Sequence, residues 1–295
     1  MTDTGYLFWP APAKLNLFLQ ITGRREDGYH DLQTVFQFLE VSDRLRFKLR
    51  DDGKIRRKTN NEGVKAEDDL VIKAAQLLQK VTGTEQGVDI YLQKLLPVGG
   101  GVGGGSSDAA TTLVALNYLW GTGLEVAQLA QTGLGLGADV PVFVHGHASF
   151  ARGVGEQLEA VAPEESWYLV VTPDIHISSA KIFCDSQLTR DSSGIRICDL
   201  QIGTANEARI FDELGNVFEP VVVKQYSEIA EIIEFLRAYS NARLTGSGSC
   251  VFAPFSSREE AQQVLDKLPD QWSAFVAKGL NQSPLQAMLS AVKSG

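Results

Sequence analysis

The segment PVGGGVGGGSSDAATTL places six glycines and two serines in the nine positions 99–107, directly ahead of a run of helix formers. Glycine tolerates positive φ and close approach of its backbone, so successive N–H groups in such a run can converge on one anion. The helix that follows adds unpaired amide donors and the positive end of its dipole. This is a phosphate cradle. Ser106 and Ser107 supply hydroxyls for phosphate, and Ser107 is the candidate oxygen ligand of a Mg²⁺ ion. A Walker A loop is disfavoured, because no Lys follows the glycines. Gly99, Gly101 and Gly104 satisfy GxGxxG by count, but the acidic residue expected about 20 positions on would be Glu125, at a helix start and not at a strand end. A flexible glycine hinge or a tight turn is a further alternative, and ordering such a loop would cost much chain entropy with no ligand to offset it.

Other residues carry less on their own. Asp139, in GADVP, is by itself one acid among many and reads locally as a helix cap or turn residue before Pro141. Lys14, in PAKLNL, reads by itself as a solvated lysine at a strand start. Asn16, two positions on, shares its face along a strand. Tyr29 and His30, in DGYH, read by themselves as a turn or surface pair. The late TGSGSC segment, Thr245 to Cys250, is a second glycine-serine turn, with Gly246 and Ser247 at its centre. Asp108, a carboxylate close to the phosphate loop, is expected to point away from it or to act through Mg²⁺.

Mixed elements must position these groups. Residues 14–22, 32–40 and 44–50 read as strands, the last two joined by a turn at Val41-Ser42-Asp43. Glu67, Asp68 and Asp69 precede a helical stripe of Leu70, Ala74, Leu77, Leu78 and Val81. Alternation over 88–92 predicts a strand leading to Pro97 and the glycines, and Ala109 to Trp120 a helix. Further strands are expected at 167–173, 249–255 and 272–278, and helices at 225–239 and 257–268. Without strict βαβ alternation this is an α+β fold. With 295 residues two lobes are expected, meeting where GVGEQLEAVAPEES marks a boundary near 155–165.

Apolar residues make up 44% and charged residues 21%, as in a folded protein, and the net charge of -9 argues against nucleic acid as a partner. Cys184, Cys198 and Cys250 have no metal-site spacing, and an odd count suggests free thiols in a reducing compartment. No basic leader and no long apolar window is present, so the cytoplasm is the expected location.

PAKLNLFLQITGRREDGYHDLQTVF, LPVGGGVGGGSSDAATTL, GADVPVFVHG and RLTGSGSCVF, in this order, resemble the motifs of the GHMP kinases, and the resemblance covers about residues 10 to 280. It implies a two-lobed fold, with an N-terminal lobe like domain 2 of ribosomal protein S5 over 1–160 and a ferredoxin-like GHMP lobe over 161–295. In this combination it implies an ATP- and Mg²⁺-dependent kinase that phosphorylates the 2-hydroxyl of 4-diphosphocytidyl-2-C-methyl-D-erythritol, in non-mevalonate isoprenoid precursor biosynthesis. By the same resemblance Asp139 is the base and Lys14 its catalytic neighbour. ATP is held by Pro97, Gly99, Gly100, Gly101, Gly103, Gly104, Gly105, Ser106 and Ser107, with Asp69, Leu70 and Lys94 bordering the adenine. Asn16, Tyr29, His30, Phe36, Ser179, Phe183, Gly246 and Ser247 contact the acceptor, Tyr29 and His30 receiving the cytosine ring. Ser179 stands where the family has a threonine, and core packing remains the alternative for Phe36 and Phe183.

Overall fold

The computed structural model describes residues 7–59 and 68–294, so Glu67 and residues 1–6 lie outside it. The chain runs β1 (Trp9–Arg24), β2 (His30–Arg50), β3 (Ile55–Arg57), α1 (Leu70–Thr82), β4 (Gly87–Gln93), α2 (Gly104–Leu119), α3 (Val126–Leu134), α4 (Val140–His145), β5 (Ser149–Arg152), β6 (Gln157–Ala160), β7 (Trp167–Thr172) and α5 (Ser179–Phe183). It continues through α6 (Glu207–Leu214), α7 (Glu219–Gln225), α8 (Ser227–Arg237), β8 (Arg243–Leu244), β9 (Val251–Phe255), α9 (Arg258–Leu265), β10 (Ser273–Leu280) and α10 (Pro284–Ser294). This is the expected α+β mixture.

The strands form one sheet in the order β3-β4-β2-β10-β7-β9-β8, with β1 and β5 also on β2 and β6 beyond β5. Every pairing is antiparallel except β3 with β4. β10 joins the halves, since Gly279 and Leu280 pair with β2 while Ser273 to Lys278 pair with β7. One apolar cluster packs α1 and α2 against β1, β2 and β4, and another packs α7 and α8 against β7 and β9. The C-terminal helix α10 returns to the first cluster through Leu285. No helix among the described residues is long and apolar enough to cross a membrane.

Four expectations change. No turn separates 32–40 from 44–50: β2 is a single strand of 21 residues, and Ser42 and Asp43 pair in register with Pro12 and Ala11 of β1. Asp43 looked like a turn residue because its carboxylate has no local partner; its partners are tertiary, the amides of Leu95 and Leu96 at 2.5 and 2.8 Å. α2 starts at Gly104, inside the glycine run and five residues earlier than expected, because Gly103 caps it in the left-handed conformation, φ 76°. The helix expected over 225–239 is shorter, Ser227–Arg237, because the extended backbone of Tyr226 separates it from α7, which ends at Gln225. The helix expected over 257–268 is shorter, Arg258–Leu265, with Ser257 as its side-chain N-cap.

Candidate active site

α2 is buried on every side from Ser107 to Leu116, whereas Gly105 in its first turn is exposed and Ser106 half-buried, so its N-terminus opens to solvent. β4 leads the chain out of the sheet to Pro97, and Gly99, Gly101 and Gly103 alternate into positive φ at 73°, 78° and 76°. The space around them explains why side chains are absent. A Cβ at Gly101 would overlap the carbonyl of Thr245, and one at Gly103 would stand 2.8 Å from Cζ of Phe143. The Cys250 amide donates to the Gly100 carbonyl at 3.0 Å, which ties the loop to the TGSGSC turn. In the first turn of α2 the amides of Gly104, Gly105 and Ser106 have no intrahelical acceptor.

These elements form a cavity of about 480 Å³, lined by Lys14, Leu70, Pro97, all six loop glycines from Gly99 to Gly105, Ser106, Asp139, Ser179, Gly246 and Ser247. His176, Ile177, Ser178 and Gly248 complete it. A smaller adjoining cavity of about 210 Å³ shares Leu70, Pro97, Gly99 and Gly105 and adds Asp69, Lys94, Arg57 and Asp108. Asp69 caps α1 through the Val71 amide at 3.0 Å and meets Arg57 at 2.5 Å.

Lys14 is 3% exposed, and its ammonium has three oxygen partners. It donates to Oδ1 of Asn16 at 2.5 Å and to the Gly101 carbonyl at 3.0 Å, and it lies 3.3 Å from Oδ2 of Asp139. Phe36 lies beneath it, ring centroid 5.3 Å from Nζ, and is buried. Asn16 donates to Thr34 Oγ1 at 3.0 Å, which fixes its amide. Asp139 occupies the N-cap position of α4, as its alternative reading expected, yet its side chain makes no capping bond. The carboxylate faces Lys14 and the cavity instead.

Lys94 is clasped by two carboxylates, Asp43 and Asp108, the latter at 2.9 Å. Burial pushes the Asp108 carboxyl up to about 7; Lys94 pulls it down, and Asp43 adds to the rise. Burial pulls Lys94 down, but Asp108 and Asp43 outweigh it and the net shift is upward. The Asp108 carboxylate thus faces Lys94, in the smaller cavity that Gly99 and Gly105 also line.

The remaining acceptor residues form a second group. His30 stacks on Phe183 with centroids 5.1 Å apart and planes at 23°, and Phe183 meets Phe218 edge-on at 4.9 Å. Tyr29 is exposed beside them, at 65%. α5 links the two groups: Ser179, at its start, shares a 2.5 Å hydrogen bond with Ser247 in the cavity, and Phe183 ends it. Ser107 is not in the cavity wall; its hydroxyl is buried with no hydrogen-bond partner among the described residues. Sequence reasoning missed His176, whose Nδ1 lies 3.0 Å from where a Cβ on Gly99 would stand. No motif surrounds it.

Two family models match the chain, GHMP kinases N terminal domain over residues 69–147 and GHMP kinases C terminal over 202–274. The 4-diphosphocytidyl-2-C-methyl-D-erythritol kinase of Mannheimia succiniciproducens is 53% identical over 281 residues, 95% of this chain and 90% of its own. That of Halorhodospira halophila is 50% identical over 296 residues, 99% of this chain and 100% of its own. The chain belongs to the 4-diphosphocytidyl-2-C-methyl-D-erythritol kinase family of GHMP kinases.

A crystal structure of a 4-(cytidine 5'-diphospho)-2C-methyl-D-erythritol kinase superposes with a TM-score of 0.80 at 30% identity, over 92% of this chain and 99% of that one. The L. major mevalonate kinase, at 17% identity and a TM-score of 0.68 over 94% of this chain and 96% of that one, shares the fold. The first GHMP match spans α1 to α4, and so holds the glycine loop and Asp139; the second holds Gly246 and Ser247. Lys14, Asn16, His30 and Phe183 fall outside both, in segments that the full-length kinase relatives cover.

Proposed function

We propose that this kinase transfers the γ-phosphoryl group of ATP to the 2-hydroxyl of 4-diphosphocytidyl-2-C-methyl-D-erythritol, giving the 2-phosphate and ADP. The observation that carries this reading is the pairing of Lys14 with Asp139 at the mouth of the glycine loop. Phosphoryl transfer asks a protein chiefly for alignment and for charge stabilisation. The loop amides and the N-terminus of α2 would grip the triphosphate. Asp139 would accept the hydrogen bond of the attacking hydroxyl and take its proton, while Lys14 offsets charge on the phosphoryl oxygens. Lys14 is held by Asn16 and the Gly101 carbonyl, so it needs little reorganisation during reaction.

Mg²⁺ fits the donors present. A magnesium ion carried by substrate phosphates needs only one or two protein oxygens. No cluster of three or more His, Cys, Asp or Glu side chains suited to a metal occurs among the described residues. The partnerless hydroxyl of Ser107, next in the chain to Ser106 of the cavity wall, is the oxygen we assign to it. When bound, the ion would neutralise phosphate charge.

For the acceptor, His30, Tyr29 and Phe183 are read as the cytosine subsite, and Ser179, Gly246 and Ser247 as contacts between that subsite and the reacting hydroxyl. Asp69, Leu70 and Lys94, around the smaller cavity, are read as the adenine side. We divide the chain near residue 160, between β6 and β7, and place the protein in the cytoplasm. The test is coupled ADP release with ATP and 4-diphosphocytidyl-2-C-methyl-D-erythritol. Turnover with that acceptor and none with homoserine or mevalonate is expected; turnover with either of the latter alone would overturn the assignment.

A further inference from the structure

The wall that carries Phe183 has almost no secondary structure of its own. α5 ends at Phe183 after five residues, and residues 184–196 form neither helix nor strand. Without a ladder or a helix, such a segment needs other bonds to offset its chain entropy. Arg190 supplies three of them. Its Nη2 donates to the carbonyls of Phe183 at 2.8 Å and Asp185 at 2.6 Å, and its Nη1 donates to the carbonyl of Leu188 at 3.1 Å. The Phe183 carbonyl is among the last of α5, which have no intrahelical donor.

The fastened loop has further anchors, among them the Ser192 amide on the Ile21 carbonyl at 2.9 Å and the Ile195 amide on the Gln33 side chain at 2.7 Å. Leu188 is buried in the second apolar cluster, and the Gln225 side chain donates to Oδ2 of Asp185 at 2.7 Å. Arg190 therefore connects the backbone of Phe183 to a stretch that cannot move freely. The ring of Phe183 is in turn confined between the face of His30 and the edge of Phe218. Nε2 of His30 is buried and makes no hydrogen bond among the described residues. Burial, then the charges of Arg190 and Arg24, lower the basicity of His30, which favours the neutral imidazole. A neutral ring keeps both a donor and an acceptor nitrogen.

We propose that Arg190 is a positioning residue for the nucleobase end of the acceptor: by gathering three backbone carbonyls it sets Phe183 against His30, so that the two form one preorganised surface for a pyrimidine. Arg190 itself touches no substrate. A planar guanidinium can hold these carbonyls in one arrangement, whereas the ammonium of a lysine is a point charge on a flexible stem. The proposal rests on reading His30 and Phe183 as the base subsite.

Steady-state kinetics separates the two. In Arg190→Lys and Arg190→Gln the KM for 4-diphosphocytidyl-2-C-methyl-D-erythritol should rise about tenfold, as the loss of one charged hydrogen bond would give, with the KM for ATP and kcat within about twofold. Ethylguanidinium added to Arg190→Ala should lower the acceptor KM again. An acceptor KM unchanged in the Arg190 variants but raised in His30→Ala would overturn the role of Arg190 alone. An acceptor KM unchanged in all of them would overturn the base subsite and the proposal together. A KM for ATP rising in step with that for the acceptor would mean general loosening of the fold and would also overturn it.

Discussion

Nζ of Lys14 stands 3.3 Å from Oδ2 of Asp139, and the two residues reach this contact from opposite ends of the N-terminal half, one on β1 and one at the start of α4. The carboxylate makes no capping bond, so Asp139→Asn should leave α4 intact. Its kcat should fall by roughly 10²- to 10⁴-fold, the range for losing a general base, with little change in the KM for ATP. ADP release under saturating substrates measures this. Near wild-type turnover would remove Asp139 from the chemistry.

Lys14→Met should behave differently, because the ammonium also serves the structure. Removing it leaves the Asn16 amide oxygen and the Gly101 carbonyl short of a donor in a buried place. We expect a loss of about 1–3 kcal/mol of stability for an unsatisfied buried acceptor, in addition to the fall in kcat. Urea unfolding of both variants distinguishes them: Asp139→Asn should unfold close to wild type and Lys14→Met earlier.

The glycine loop predicts a contrast between two alanines. Gly101 has φ 78° and its Cβ would overlap the Thr245 carbonyl, whereas Gly121, with φ 63°, has nothing within 4 Å. Gly121→Ala should cost only the left-handed strain of an L-residue, about 1–2 kcal/mol, and leave nucleotide binding alone. Gly101→Ala must push the loop away from the TGSGSC turn. Its KM for ATP should rise about tenfold or more, equivalent to at least about 1.4 kcal/mol of lost binding. Equal KM values for the two variants would show that the loop does not depend on its fit to Thr245.

The three cysteines should separate by reactivity. Cys184 and Cys198 are exposed and Cys250 is buried, with burial pushing its thiol up to about 12. Only the thiolate reacts. A thiol-disulfide reagent at pH 8 should therefore modify two groups in the native protein and the third only in denaturant.

Much of this site could be read from local chemistry, and some could not. Glycines at 99, 101 and 103 announce their own conformation, and the helix after them is written in its formers, so the loop was legible down to its role as an anion cradle. Asp139 and Lys14 were legible only through the family resemblance, because nothing in two separate short segments says that they meet. Asp43 was misread as a turn: Val-Ser-Asp carries turn chemistry, and the amides that make it a strand residue lie some fifty positions on. His176 and Arg190 left no signal at all. Each acts through a fold-level approach, His176 from the loop after β7 onto Gly99 and Arg190 onto carbonyls of a segment without periodicity.

Asp108 yields a pH prediction whose sign follows from its surroundings. Its carboxyl is raised from its ordinary 3.8 to about 7, first by burial and then by the neighbouring charge of Asp43, against the pull of Lys94. Oδ2 meets Lys94, but Oδ1 is buried without a hydrogen-bond partner among the described residues. In the unfolded chain the group ionises near 4, so between about pH 4 and 7 the folded protein binds the extra proton. A group raised in this way contributes stability that is complete below the unfolded value and is lost as pH rises through the folded one. Asp108→Asn cannot titrate, and its stability should lack the part of the decline between about pH 4 and 7 that this carboxyl causes. Urea unfolding of both proteins across that window gives the comparison. If the two curves stay parallel, Asp108 is already ionised in the folded protein, and the Lys94 ammonium outweighs burial.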